Sequence, residues 1–300
     1  MFLKPRVIAA ILMLYSMLSL PACASISGLL ATPTIPPPTS TPVPPTPTPP
    51  PLAALVNGEY ITQTEFEAEL ARFRAAQPAA DETIPEQQAE TIVLDDLVAQ
   101  VLLAQGARAE GFELSESELQ SRMQSLAEAA GGDAALAEWI SSHGYTAETF
   151  RLALKRSVEA AWMRDKIVAD VPLATEQVHL QQILSYNEED AVQALARLDG
   201  GTDFDELAGS QFYDPTTRGE LGWVPRGYLL DPNLDAAAFS LEVGAYSQVI
   251  ETPAGFHIIK VLERDPQHEL SPDALLRLQE LAVQAWIDEQ RAQGDIELTP

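Results

Sequence analysis

The sequence is poor in cysteine, in positive charge and in the glycine-rich patterns that hold phosphates. Its single cysteine, Cys23, excludes both a disulfide within this 300-residue chain and a cysteine-based metal site. The four histidines do not cluster at the spacing of metal ligands, and no phosphate-loop or Gly-x-Ser-x-Gly pattern is present. With 18 Lys and Arg against 44 Asp and Glu, the formal net charge of −26 repels phosphate and argues against a nucleic-acid partner. We therefore expect neither a metal nor a cofactor.

The amino terminus, residues 1–22, has the pattern of an export signal. Lys4 and Arg6 precede an almost wholly apolar run over 7–20, which is shorter than the roughly 20 residues that a membrane-spanning helix needs. The sequence Leu20-Pro21-Ala22-Cys23 follows and resembles the bacterial lipobox, in which the cysteine becomes the lipidated first residue. This predicts an extracytoplasmic protein that a lipid on Cys23 holds at the cell membrane. The alternative is an uncleaved anchor beside an incidental cysteine.

Residues 23–51 form a predicted linker that is dominated by proline and threonine. The chain contains 23 prolines, and they are concentrated between residues 33 and 51. Proline fixes φ and removes backbone donors, so this run is expected to be an extended spacer rather than a helix or a strand. A proline-rich ligand for another domain is the alternative interpretation.

Residues 52–172 have the pattern of a helical domain. A short strand or turn over 56–62 is followed by five predicted helices, of which the first begins with the capping pattern Thr64-x-x-Glu67 and the third with Ser115-x-x-Glu118. The second helix ends near Gly111, and a short one covers 134–142. The last helix, 147–170, carries an apolar set that is predicted to point inward: Phe150, Leu154, Val158, Trp162 and Ile167.

Two features of this region resemble the amino-terminal chaperone domain of the SurA and PrsA family. They are Val56-Asn57-Gly58-Glu59-Tyr60-Ile61-Thr62 with Phe66 behind it, and Gly111-Phe112-x-Leu114-Ser115 ahead of the third helix. In that family a carboxyl-terminal helix returns to the amino-terminal helices. Within the tail, 266–300, a helix over 271–294 with Trp286 on its apolar stripe is expected to do the same, and a free tail helix is the alternative.

Residues 173–265 read as a small sheet with helices packed around it, which makes the whole chain α+β. Strands are predicted over 178–184, 221–224, 247–250 and 256–263, and helical segments over 190–198, 203–210 and 232–239. Four pieces carry a resemblance to the parvulin family of peptidyl-prolyl cis/trans isomerases. They are the segment 178–184, Asp214 followed by Gly219-Glu220-Leu221-Gly222-Trp223, the segment 230–239, and Gly255-Phe256-His257-Ile258-Ile259-Lys260-Val261. The implied fold is a four-stranded sheet surrounded by helices.

The resemblance also implies a set of site residues. His257 matches a histidine of a hydrogen-bonded cluster, and Asp214 matches an acid that faces the reacting amide. Gln182 stands where the family usually has a second histidine. The remaining matches, beside the histidines or along the proline cup, are Thr252, Leu230 and Leu234. Without this resemblance, a buried strand histidine is the favoured interpretation of His257, and a turn residue before Pro215 is the alternative for Asp214.

Prolyl isomerisation leaves little trace in a sequence because it needs no nucleophile, metal or cofactor. Its barrier, about 18–20 kcal/mol, comes from amide resonance, and a catalyst has only to bind the twisted amide better than the planar forms. The favoured function is therefore a foldase that isomerises proline bonds in unfolded exported polypeptides. A chaperone that binds extended polypeptide without catalysis is the second hypothesis, and a structural envelope protein is the third, without a feature of its own.

Overall fold

The computed structural model describes residues 51–77, 84–210 and 214–299. The predicted export signal, Cys23 and the linker up to residue 50 lie outside the described residues. In the described part of the chain, no helix combines the length and the apolarity needed to cross a membrane. The elements, in chain order, are β1 Leu52–Val56, β2 Glu59–Thr62, α1 Gln63–Ala76, α2 Glu86–Ala109, α3 Glu116–Ala130, α4 Asp133–Ser142, α5 Ala147–Ala169, β3 Ala174–Ser185, α6 Glu188–Asp199, α7 Phe204–Ala208, β4 Glu220–Pro225, α8 Pro232–Ser240, β5 Ile250–Thr252, β6 Gly255–Glu269, α9 Pro272–Gln293 and β7 Ile296–Leu298.

The helical domain opens with a β-hairpin. Asn57 and Gly58 connect β1 to β2 with positive φ angles of 51° and 83°, which is the backbone of a tight two-residue hairpin turn. The first helix begins two residues earlier than predicted, because Thr62 rather than Thr64 accepts the cap hydrogen bond, from the amide of Glu65 at 3.2 Å. The predicted capping box at Ser115 is confirmed at the start of α3.

The interior face of α5 differs from the prediction. The five apolar residues predicted to point inward are only partly buried, whereas the charged residues Arg156 and Glu159 are 2% and 0% exposed. Arg156 donates to Glu65 at 2.6 Å, and Glu159 accepts from Arg108 at 2.5 Å. Buried charges of this kind are tolerated only when they are paired, so the pairing explains why this face of α5 can be both charged and buried.

The second domain is a four-stranded antiparallel sheet in the order β4-β3-β6-β5. Successive side chains of a strand point to opposite faces, and each face has its own core. On one face, Val178 and Leu180 of β3 pack with α8, and on the other, Ile183 of β3 and Ile258 of β6 pack with α6 and α7. This arrangement confirms the predicted α+β architecture. Both central strands are longer than predicted, and β6 continues to Glu269.

The carboxyl-terminal helix α9 packs on the helical domain, as the sequence predicts, and the alternative of a free tail helix is wrong. Val283, Trp286 and Ile287 join the apolar core of that domain. Arg291 donates to the Asp95 carboxylate of α2 at 2.7 Å. The chain then adds β7, an element that the sequence analysis missed, as a third strand beside β1.

Candidate functional site

Three of the predicted site residues meet on one face of the sheet. Gln182 on β3 and His257 on β6 lie on the face that α8 covers elsewhere, and Thr252 ends the neighbouring edge strand β5. Gln182 Oε1 is 3.0 Å from His257 Nδ1, and Thr252 Oγ1 is 3.0 Å from His257 Nε2. The His257 side chain is thus held at both ring nitrogens, and the residue is only 6% exposed.

The protonation state of this cluster follows from burial and from its hydrogen bonds. Burial lowers the pKa of His257, and the nearby Asp231 carboxylate acts in the opposite direction. The imidazole is therefore neutral near pH 7. With Gln182 Oε1 facing it, Nδ1 carries the proton and donates, while Nε2 accepts from the hydroxyl of Thr252. The Ala254 amide donates to the same hydroxyl oxygen at 3.1 Å, which fixes its position.

Two glycines bring the backbone close to this cluster. A Cβ on Gly219 would lie 1.9 Å from the Gln182 carbonyl oxygen, and the Gln182 amide donates to the Gly219 carbonyl at 2.8 Å. A Cβ on Gly255 would lie 2.6 Å from the Ser185 carbonyl oxygen. Both glycines also have positive φ, 71° and 137°. Gly219 and Gly255 are therefore required by close packing around β3.

The cluster forms part of the wall of an open cavity of about 690 Å³. Most of the lining is apolar, and Leu234 is buried in it, whereas Leu230 is 89% exposed at its edge. Among the lining residues that the sequence analysis missed, four have polar side chains: Tyr228, Asp231, Asp273 and Arg277. For Asp231 a signal was present, since Asp-Pro is a typical start of a helix and its side chain caps α8.

Asp214 is not among the residues that line this cavity. Its Oδ1 accepts from the amides of Thr216 and Thr217 at 3.1 and 3.0 Å, so the side chain caps a turn. The Thr217 hydroxyl and, to a smaller extent, the Thr217 amide donate hydrogen bonds that lower the pKa of this exposed carboxyl. This geometry is that of a turn residue, which is the alternative interpretation of Asp214 in the sequence analysis. A role opposite the reacting amide stays a prediction.

A second cavity, of about 780 Å³, lies in the helical domain between the hairpin, α1, α2 and α5. Tyr60 and Leu152 line it and are 59% and 51% exposed. The buried ion pairs of Arg156 lie at the same place. Exposed apolar side chains beside a cavity can take up an apolar segment of another polypeptide.

Comparison with known proteins gives each domain a family. Residues 180–263 match the model described as the PPIC-type PPIASE domain, and residues 41–164 match that of the SurA-like N-terminal domain. The chain thus combines a SurA-like N-terminal domain with a PPIC-type domain, and both predicted resemblances are confirmed at that level.

The individual proteins that this chain resembles are named either foldase or chaperone. The chain is 35% identical to Foldase protein PrsA of Halalkalibacterium halodurans over 127 residues, which cover 40% of this chain and 38% of that protein. It is 28% identical to Foldase protein PrsA of Geobacillus kaustophilus over 182 residues, 58% and 62% of the two chains, and 32% identical to Chaperone SurA of Thiobacillus denitrificans over 155 residues, 45% and 35%. The matches thus span less than two thirds of each of these relatives. The solved structure of peptidylprolyl isomerase PrsA from Bacillus cereus is similar with a TM-score of 0.44 and 20% identity, over 82% of this chain and 93% of that chain.

Proposed function

We propose that this protein is a peptidyl-prolyl cis/trans isomerase and foldase that acts on unfolded, proline-containing polypeptides outside the cytoplasm. The observation that carries the proposal is the His257 ring, bonded to Gln182 and Thr252 in the wall of a largely apolar cavity within the PPIC-type domain. The names of the similar proteins, foldase and chaperone, support the same choice of substrate class.

The proposed mechanism relies on binding rather than on proton transfer. An apolar cavity removes the proline ring and its amide from water, and this favours the twisted amide because that form has lost its resonance and much of its polarity. His257 is neutral and has both ring nitrogens occupied, so its role is to hold Gln182 and Thr252 in place. The residues proposed to contact the substrate are Leu230, Leu234 and Thr252.

Gln182 is expected to make the enzyme weak. It keeps one hydrogen bond to His257, but its longer, more flexible side chain orders the cluster less firmly than a histidine ring would. A difference of one hydrogen bond, about 0.5–1.5 kcal/mol, corresponds to a roughly twofold to tenfold change in rate. We therefore expect Gln182→His to raise kcat/KM on a proline peptide by that factor and His257→Ala to lower it. An equal or lower rate for Gln182→His would contradict this account of position 182.

A chaperone without isomerase activity is the second candidate function. It is favoured by the cavity of the helical domain, where Tyr60 and Leu152 are exposed, and by Leu230, which stands in solvent instead of closing the proline cup. The two candidates differ in one measurable respect. A chaperone alone suppresses aggregation of an unfolded protein while proline bonds isomerise at the uncatalysed rate.

We further propose that a lipid on Cys23 anchors the protein to the membrane. Support comes from the basic start, the apolar run and Leu20-Pro21-Ala22-Cys23. Cys23→Ser is expected to leave an unprocessed precursor without lipid, whereas the wild-type chain loses residues 1–22. Mass spectrometry of both proteins from membrane fractions tests this. Identical processing of the two would show that Cys23 is not the attachment site.

A further inference from the structure

Helix α9 borders the cavity of the PPIC-type domain as well as the helical domain. Its first half supplies Asp273 and Arg277 to the cavity lining. Leu281, one turn further on, packs against the loop before α8, since a Cβ on Gly227 would lie 3.3 Å from its Cδ1. Only the second half, with Trp286, enters the core of the helical domain. The tail helix therefore forms one wall of the proposed substrate site.

Arg277 brings a cation with free hydrogen-bonding capacity to this wall. Its side chain is 35% exposed, yet Nε is buried and has no hydrogen-bond partner among the described residues. The nearest carboxylate, that of Glu280 on the same helix, is 3.7 Å from Nη1, which is too long for a hydrogen bond. A guanidinium presents its donors as a planar fork that fits a carboxylate, so this group is ready to receive one.

The two carboxylates in the lining have other roles that account for their positions. Asp231 accepts from the amides of Asn233 and Leu234 at 2.8 and 3.3 Å, which caps α8. Asp273 lies in the first turn of α9, where a negative charge is favoured by the positive end of the helix dipole. Among the described residues that line this cavity, Arg277 is the one Lys or Arg side chain.

We propose that Arg277 forms a subsite for an acidic side chain next to the proline of a bound polypeptide. This deepens the proposed function, because it names a preferred class of sequence for the same cavity. A carboxylate that enters the cavity beside the proline ring pairs with the part-exposed guanidinium of Arg277. A chain-terminal carboxylate has the same chemistry, and the experiment separates the two.

The test is the affinity of the full mature protein for short peptides that are amidated at the carboxyl terminus. Amidated Ala-Glu-Pro-Phe, Ala-Pro-Glu-Phe, Ala-Ala-Pro-Phe and Ala-Lys-Pro-Phe, and Ala-Ala-Pro-Phe with a free carboxyl terminus, are titrated at low ionic strength by calorimetry. We expect one Glu peptide to bind about fivefold more tightly than Ala-Ala-Pro-Phe, as a part-exposed ion pair allows. Arg277→Gln should remove this preference, and Arg277→Glu should transfer it to the Lys peptide.

Arg164→Gln is the matched control. Arg164 is exposed on α5, where its one ion-pair contact among the described residues is with its neighbour Asp165 at 3.7 Å, and the variant changes the net charge by the same amount. The preference should survive in this control. Equal binding of all amidated peptides by the wild type, or no binding, overturns the subsite, and so does a preference that survives in Arg277→Gln. Tighter binding only of Ala-Ala-Pro-Phe with a free terminus also overturns it, in favour of a chain end.

The subsite and the proposed function can fail separately in this design. Isomerisation rates are measured on the same peptides. A Glu preference in binding without any acceleration of isomerisation supports the subsite and contradicts the isomerase. Acceleration that is equal for all the peptides, with equal affinities, supports the isomerase and contradicts the subsite.

Discussion

Replacing Trp286 with alanine should lower the free energy of unfolding of the helical domain by about 3 kcal/mol. Its indole belongs to the core that α9 shares with α2 and α5, and the ring lies so close to α2 that a Cβ on Gly106 would be 2.5 Å from it. Truncation to alanine removes this contact and leaves a space between helices whose positions are also fixed by the Arg291–Asp95 pair. Urea unfolding followed by circular dichroism measures the change.

Leu276→Ala is the control for this experiment, because Leu276 lies on the same helix and is 57% exposed. Its effect should stay within about 0.5 kcal/mol, as for most surface substitutions. If the two variants unfold at the same urea concentration, the contacts of α9 do not contribute to the free energy of unfolding of the helical domain.

Gly219→Ala should lower the free energy of unfolding of the PPIC-type domain by a similar amount. An L-residue in a left-handed conformation costs about 1–2 kcal/mol, and the added Cβ would also lie 1.9 Å from the Gln182 carbonyl oxygen. The two backbones must then separate, which breaks the hydrogen bond from the Gln182 amide, worth about 1 kcal/mol. The sum is about 2–3 kcal/mol, and the displaced Gln182 would no longer hold His257.

Gly222→Ala separates the two contributions. Gly222 has nearly the same φ, 74° against 71°, but its Cβ would meet nothing within 4 Å. The free energy of unfolding of this variant should therefore fall only by the cost of the left-handed conformation, about 1–2 kcal/mol. The proposed isomerase activity should be kept. Equal melting temperatures and equal activities for the two variants would mean that the close approach at Gln182 is not required.

The strands around the candidate site could be predicted because their signals are local. Alternating apolar residues mark β3, and glycines at fixed positions mark the turns beside it. The contact between Gln182 and His257 joins residues far apart in the sequence, and only the resemblance to parvulins placed them together. The role of Asp214 stays a prediction, because its carboxylate accepts hydrogen bonds from the amides of Thr216 and Thr217 in a turn and the residue is not among those that line the cavity.

The interior of α5 could not be predicted from helical periodicity. Charged residues are usually exposed, and Arg156 can be buried because its carboxylate partners, Glu65 of α1 and Glu59 of β2, come from other elements. Contacts with distant parts of the sequence also decide the positions of side chains on α9. Its apolar stripe indicates which face packs against another helix, but the place of Arg277 depends on how the two domains lie along that helix, which no short segment of the sequence contains.

The most direct test of the central claim is the rate of cis/trans isomerisation of one proline peptide with the mature protein, measured by nuclear magnetic resonance exchange. We predict acceleration in proportion to the concentration of the wild-type protein, weaker than that of Gln182→His and stronger than that of His257→Ala. If the folded wild type leaves the peptide at its uncatalysed rate and Gln182→His does not rise above it, the protein is not an isomerase, and the chaperone function remains.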